Sequence, residues 1–401
     1  MSDERRRAMS FSQLVFAPLC YTGWGALEQL LPEIEKYSAK KILVVTDPAL
    51  EKIGITKQVI DPLMDTGYDV IVYTGVVPEP PLAVGEELVD FTRKGKFELV
   101  IGFGGGSAMD LAKLAAVLAV HDGPVADYLN LTGTQKIEKK GLPKILIPTT
   151  AGTGSEVTNI SVLSLETTKD VVADNYLLAD VAIVDPALTV SVPPRITAAT
   201  GVDALTHAVE AYISVNASPT SDALALHAIR VIARSLRKAV EDGSDRQART
   251  DMSQGSYLAG LAFFNAGVAG VHALAYPIGG QFHIPHGESN AVLLPYVMSY
   301  IRKSCTKRMA DILEALGGNK GLLSEEEASY KCVDELIRMV RDVGIPTTLG
   351  GFNIPESALE QLTSDGVKQK RILGRSPLPL HEGDIRKIYQ SAFDGVVTEP
   401  D

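Results

Sequence analysis

Cysteine is scarce in this chain: Cys20, Cys305 and Cys332 are the only three in 401 residues. Their number is odd and none forms a Cys-x-x-Cys pair, which excludes a disulfide scaffold and a thiolate zinc site. Long apolar runs are absent as well, with no stretch of about 18 uncharged apolar residues that reads as a membrane span. The first residues, MSDERRRAMSFSQLVF, hold charge but neither a continuous apolar core nor a small-residue cleavage site, so no secretory signal is expected. Basic charge is in deficit, 38 Lys and Arg against 49 Asp and Glu, for a formal net charge of −11. Neutralising a nucleic-acid backbone needs the opposite balance, so no nucleic-acid partner is expected. The expectation left standing is a soluble cytoplasmic protein. Nucleotide binding remains open, because a helix N-terminus holds a phosphate without net positive charge.

Hydrophobic residues make up 45% of the chain, enough for sizeable cores, and the length exceeds one ordinary domain of about 150 residues. In the first half, short β-branched runs at 41–46, 69–73, 97–103, 144–148 and 181–185 read as buried strands. They alternate with helical patterns at 25–35, 82–93 and 107–120. That rhythm predicts a parallel sheet covered on both faces, with ligands at the C-terminal strand ends. Near residue 190 the rhythm changes. From 196 onward 3.6-residue periodicity dominates, at 196–214, 220–241, 247–264, 289–301 and 325–343. Pro219, Pro285 and Pro355 stand at expected helix starts. The expected architecture is an α/β dinucleotide-binding domain over 1–190 followed by an all-α domain over 191–401.

Two glycine-rich segments follow strands. Gly102-Phe-Gly-Gly-Gly-Ser107 opens a helix, and its glycines let backbone N–H groups approach a pyrophosphate. It matches neither G-x-G-x-x-G nor the P-loop pattern; a tight turn with Ser107 as N-cap is the alternative reading. Pro148-Thr-Thr-Ala-Gly-Thr-Gly-Ser-Glu156 is the second segment, rich in small hydroxyl residues. Two such loops at one sheet edge favour phosphate cradling over turns alone. Asp47 ends the first strand of the alternating region, where a carboxylate accepts from a ribose diol and repels a 2′-phosphate; a plain N-cap for the helix begun by Pro48 is the other reading.

The seven histidines can be weighed singly. Asp203 and His207 are spaced i,i+4 and so share one helix face. His272 and His286 sit in apolar helical company that needs no polar group. One carboxylate and three neutral imidazoles make a four-ligand set for a divalent transition metal, Fe²⁺ or Zn²⁺, with coordination left for substrate oxygen. His121, His227 and His381 read as structural or solvated, while His283, three residues before His286, is a candidate for proton handling or substrate contact.

Together these segments resemble the iron-dependent (group III) alcohol dehydrogenase family, over roughly residues 12 to 395. The motifs that carry the resemblance occur in order: Gly104-Gly-Gly-Ser-Ala-Met-Asp-Leu-Ala-Lys113, the 148–156 loop, the run from Ala182 through Asp203 to Glu210, and His272–x13–His286-Gly287. The resemblance implies a dehydroquinate synthase-like architecture, an N-terminal NAD(P)-binding domain, a helical metal-binding domain and a homodimer. It implies metal ligands at Asp203, His207, His272 and His286. It places cofactor contacts at Asp47, Gly104, Gly105, Gly106, Ser107, Asp110, Thr149, Thr150, Thr153 and Lys169, with the acidic Asp47 favouring NAD over NADP. Phe263 and Asn159 fall at substrate-contact positions of the family. Many members carry a second histidine four residues after the third ligand, a proposed proton relay; this chain has Tyr276 there, so Tyr276 and His283 are the relay candidates.

The implied chemistry is hydride transfer between NAD(H) and an alcohol or aldehyde, with the metal as Lewis acid. A hydroxy-acid substrate would want an Arg or Lys beside the metal, and none stands near His272 or His286 in sequence, which favours a small uncharged alcohol or aldehyde. The alternatives are a sibling dehydrogenase for a polyol, lactaldehyde or hydroxy acid, and a dehydroquinate synthase-type lyase.

Overall fold

Near-continuous apolar strands are stable only when both faces of their sheet are covered. In the computed structural model, which describes residues 12–166 and 168–400, residues 16–192 form one unit and residues 193–400, with 12–15, form another. The first unit holds β1 (Cys20–Thr22), β2 (Lys41–Val45), β3 (Asp69–Tyr73), β4 (Leu99–Gly104), β5 (Lys144–Pro148), β6 (Ile160–Ser164), β7 (Lys169–Ala173) and β8 (Val181–Val184). Six of them make a parallel sheet ordered β1-β8-β5-β4-β2-β3. The remaining two, β6 and β7, pair antiparallel outside it. The strand–helix rhythm of the sequence does not reveal this pair, because Ile-Ser-Val-Leu-Ser alternates with serine and Lys-Asp-Val-Val-Ala opens on two charges, unlike the near-continuous apolar runs of the sheet.

Helices α1 (Leu30–Glu35), α2 (Pro48–Ile53), α3 (Lys57–Asp65), α4 (Leu82–Gly95) and α5 (Gly106–Leu118) complete the unit. Successive strand residues feed opposite cores, as the two-residue repeat demands. Leu43, Val45, Val100 and Leu146 pack with α5 residues Met109, Ala112 and Leu114 in one cluster. Ile42, Val44, Ile101, Ile145 and Ile183 pack with Leu30, Val59 and Leu63 in the other. Each such buried aliphatic side chain contributes about 1.5–3 kcal/mol.

The second unit consists of helices α6 (Pro194–Ile213), α7 (Pro219–Glu241), α8 (Arg246–Ala266), α9 (Gly270–Phe282), α10 (His286–Ile301), α11 (Thr306–Ala315), α12 (Glu325–Asp342), α13 (Leu359–Val367), α14 (Lys370–Leu373) and α15 (Glu382–Asp394). Pro219 occupies the first turn of α7, Pro285 caps α10, and Pro355 precedes a 3₁₀ turn, Glu356–Ala358, that leads into α13. α6 is apolar on nearly every side and is buried against α7, α8 and α10. Two contacts fix the start of α10 on α6. Arg195 grips Glu288 with two hydrogen bonds, 2.8 and 3.1 Å, and a side chain at Gly287 would lie 2.3 Å from the Ala199 carbonyl oxygen. No single described helix is long and apolar enough to cross a membrane.

Candidate metal centre and cofactor loops

Both glycine-rich loops lie in the first unit, after β4 and after β5. Gly105, not Ser107, is the N-cap of α5, and it offers no side-chain cap. The first-turn N–H groups of α5 therefore lack a side-chain cap, the arrangement that receives a phosphate. Ser107 instead accepts from the Glu79 N–H at 3.3 Å. The loops abut: Thr149 N donates to Gly104 O at 3.0 Å, and a Cβ at Gly106 would meet Thr153 Cγ2 at 2.7 Å. Thr150 Oγ1 lies 3.6 Å from where a Cβ at Gly105 would stand.

Asp47 is a helix cap, and its second oxygen is left out of the cap. Its Oδ1 caps α2 by accepting from Ala49 N at 2.9 Å and Leu50 N at 3.0 Å. Its Oδ2 lies toward the first loop, 3.5 Å from where a Cβ on Gly104 would stand. Asp110 is engaged inside the fold: Oδ1 accepts from Ser155 Oγ and pairs with Lys113 Nζ at 2.8 Å, and Oδ2 accepts from Val162 N at 3.0 Å. Lys113, fully buried, also donates to Ser155 O at 3.0 Å. Sequence reasoning missed this lysine, although its i,i+3 spacing from Asp110 was the available signal. Glu156, also in the second loop, is buried, and burial pushes its carboxyl up to about 7. Lys169 is buried and pairs with Glu79 Oε1 at 3.0 Å, and Glu79 itself takes the left-handed backbone, φ +49°. Asn159 donates to Asn175 Oδ1 at 2.9 Å.

The four candidate ligands meet in the second unit. One donor atom from each of Asp203, His207, His272 and His286 lies within 4.8 Å of all the others. The first two come from one face of α6, the others from α9 and the first turn of α10. Asp203, His207 and His272 are buried, and His286 is partly exposed. The rings are layered, with Phe263 stacked on His207 at 4.3 Å and His207 on His272 at 4.7 Å between centroids. Burial alone would push the Asp203 carboxyl up, but the His207, His286 and His272 rings and the Asn290 amide outweigh it and hold it below the usual carboxylate range.

Two further residues shape the cluster, and sequence reasoning assigned neither. Glu210 accepts from His272 Nδ1 at 2.6 Å. The Asn290 amide nitrogen donates to Asp203 Oδ1 at 2.7 Å and lies 3.1 Å from His272 Nε2 and 3.2 Å from His286 Nε2. Three of the donor atoms thus gather around the Asn290 amide nitrogen, and with His207 they make the N/O set that suits Fe²⁺ or Zn²⁺. The residues present fit a divalent ion.

The relay candidates differ. The Tyr276 ring stands 6.0 Å from that of His286, and burial raises its phenol pKa; Arg371 and Arg375 pull it down, while Asp203 and Glu210 push it up. His283 is exposed, closes α9 in the left-handed conformation at φ +54°, and donates its backbone N–H to Gly279 O. His121 is structural, its Nδ1 bonded to Val117 O at 2.8 Å; His227 is exposed; His381 caps α15. The sequence places no arginine near His272 or His286, but the fold brings two within electrostatic reach of Tyr276. Arg375 packs against Gly267, just past the helix end that carries Phe263.

The profile of a family described as iron-containing alcohol dehydrogenase matches residues 18–186, and that of the Fe-containing alcohol dehydrogenase family, C-terminal, matches residues 197–393. Long-chain-alcohol dehydrogenase 1 of Geobacillus thermodenitrificans (strain NG80-2) is 76% identical over 392 residues, covering 98% of this chain and 99% of that protein. The crystal structure of a 1,3-propanediol oxidoreductase superposes with a TM-score of 0.91 at 36% identity, covering 96% of this chain and 100% of that one. Sulfoacetaldehyde reductase from Bifidobacterium kashiwanohense, solved in complex with NAD+, gives a TM-score of 0.85 at 29% identity, covering 95% and 98%.

Proposed function

This chain belongs to the iron-containing alcohol dehydrogenase family and is a metal-dependent alcohol dehydrogenase; on that premise we propose that it moves hydride between NAD(H) and a primary alcohol or aldehyde at the Asp203–His207–His272–His286 cluster. The observation that carries the reading is the convergence of those four donors. A divalent ion held there, Fe²⁺ with Zn²⁺ as the alternative, supplies Lewis-acid polarisation of a substrate oxygen.

The chain's own residues do the rest. In this reading, the 1–190 region binds cofactor and the 191–401 region binds metal and substrate. The first turn of α5, from Gly104 to Ser107, receives the pyrophosphate, with Thr149, Thr150 and Thr153 beside it. Asp110 and Lys113 act by bracing the second loop rather than by touching the cofactor. Asp47 Oδ2 accepts from a ribose diol and disfavours a 2′-phosphate, so NAD is the cofactor and NADP the poorer one. Lys169, held by Glu79, and Asn159 complete the first unit's contacts. Phe263 walls the substrate pocket by stacking on His207. The Tyr276 phenol, beside His286, is the candidate that passes a proton to the product oxygen in aldehyde reduction. The chain works in the cytoplasm as a homodimer; light scattering on the purified protein checks the dimer.

The relatives are named for long-chain alcohols and for 1,3-propanediol. The decisive test is therefore oxidation of NADH and, in parallel, NADPH by aldehydes from two to about sixteen carbons. Chelator-stripped protein reloaded anaerobically with Fe²⁺ or Zn²⁺ is used. Metal-dependent turnover with NADH is expected; turnover with NADPH alone overturns the Asp47 argument, and none with either cofactor overturns the reading. One observation favours a second substrate class. Arg375 lies against Gly267, just past the helix that carries Phe263, and one relative is named for sulfoacetaldehyde, so an aldehyde bearing a distal carboxylate or sulfonate belongs in the same panel.

A further inference from the structure

We infer that Glu210 is a positioning residue for His272, fixing its tautomer and strengthening it as a metal donor. Glu210 lies on α6 three residues after His207 and seven after Asp203, so all three share a helix face. Its side chain is fully buried, and its ion-pair partner among the described residues is His272, through Nδ1 at 2.6 Å. The same carboxylate accepts from Val271 N at 2.6 Å and His272 N at 3.4 Å. These are first-turn amides of α9, whose N-cap, Ala269, brings no side-chain cap. One acid from α6 therefore caps α9 and orients the ligand that α9 presents.

Burying a carboxylate costs several kcal/mol unless its lone pairs are satisfied, and this one is satisfied by the backbone and ring of the residues it positions. With Nδ1–H donated to Glu210, the His272 lone pair lies on Nε2. That atom faces the cluster, 3.9 Å from Asp203 Oδ1. A negative charge behind the ring raises its donor strength, and outer partners of this kind change metal affinity by about 10–100-fold.

The inference rests on the metal-site reading, and Co²⁺ separates the two. Affinity is measured by competition with a chromophoric chelator, alongside the visible spectrum of the Co²⁺-loaded protein and the thermal midpoint of the metal-free protein. In Glu210→Gln, Co²⁺ binding is expected to weaken about 10–100-fold with an altered spectrum, while the metal-free midpoint falls modestly, because the one remaining oxygen still accepts from a first-turn amide of α9. Equal affinity and an unchanged spectrum in Glu210→Gln would overturn the role of Glu210. Failure of the parent chain to bind Co²⁺ would overturn the metal site itself. A second measurement needs no variant. In crystals of the Co²⁺-loaded parent, His272 is expected to ligate through Nε2 with Nδ1 on Glu210; ligation through Nδ1 contradicts the inference.

Discussion

Asp47 caps α2 through Oδ1 and turns Oδ2 toward the first glycine-rich loop, so its two contributions can be separated by substitution. Serine keeps the cap and removes the charge, whereas alanine removes both at about 1 kcal/mol of stability. Asp47→Ser is expected to keep the parent's thermal midpoint while the NADH-to-NADPH ratio of kcat/KM falls by at least about tenfold, roughly one charge–charge contact. An unchanged ratio would reduce Asp47 to a helix cap. Tyr276 is tested in the same way. Loss of a proton donor costs about 10²-fold in rate, so Tyr276→Phe should lower kcat for aldehyde reduction at neutral pH by that order. Unaltered kcat and pH profile would eliminate the phenol as relay. Residue types alone pointed to the candidate ligands, because an Asp and a His share one face of an otherwise apolar helix. They did not point to Glu210 or Asn290, since a glutamate or asparagine on a helix ordinarily reads as a solvated side chain.

The loop between β5 and β6 shows what segment-level pattern reveals and what it hides. Its small hydroxyl residues marked it as a binding loop, but nothing in the pattern shows that Glu156 is buried within it. Burial lifts that carboxyl from 4.5 to about 7, so the folded state holds its proton more tightly than the unfolded chain does. Stability should therefore fall as pH rises from about 4.5 to about 7 and level off above, by an amount on the order of 3 kcal/mol from this group. Glu156→Gln removes that dependence, and urea unfolding at pH 5 and pH 8 measures it. The variant is expected to match the parent at pH 5 and exceed it at pH 8; equal stability at both values would show that the carboxylate meets no burial penalty. The N-cap of α5 escaped prediction for a related reason. Ser107 is the better capping residue by type, yet three glycines let the chain turn earlier, and Gly105 takes the position.

The two rhythms of the sequence, strand–helix alternation and then 3.6-residue periodicity, correspond to a parallel sheet in one unit and a helical assembly in the other. That correspondence was legible because each rhythm reflects burial: both faces of a covered sheet, one stripe or the whole of a helix. Contacts between distant segments were not legible. Arg371 and Arg375 lie about a hundred residues beyond His272, and only the packing of the helical unit brings their charge to bear on Tyr276. The β6–β7 pair was hidden because its two segments, one interleaved with serine and one opening on Lys169 and Asp170, lack the continuous apolar run that marked the sheet strands. At the scale of the whole molecule, four residues from three helices bring their donor atoms together, and the proposal is that they hold one divalent ion on which turnover depends. The most direct measurement is an anaerobic Fe²⁺ titration of chelator-stripped protein, followed by NADH-dependent aldehyde reduction in the parent and in His207→Ala. Activity in the parent should rise from near zero and saturate at about one ion per chain, while His207→Ala stays near baseline. Full turnover by the stripped parent, or parent-like saturation in His207→Ala, would contradict the account.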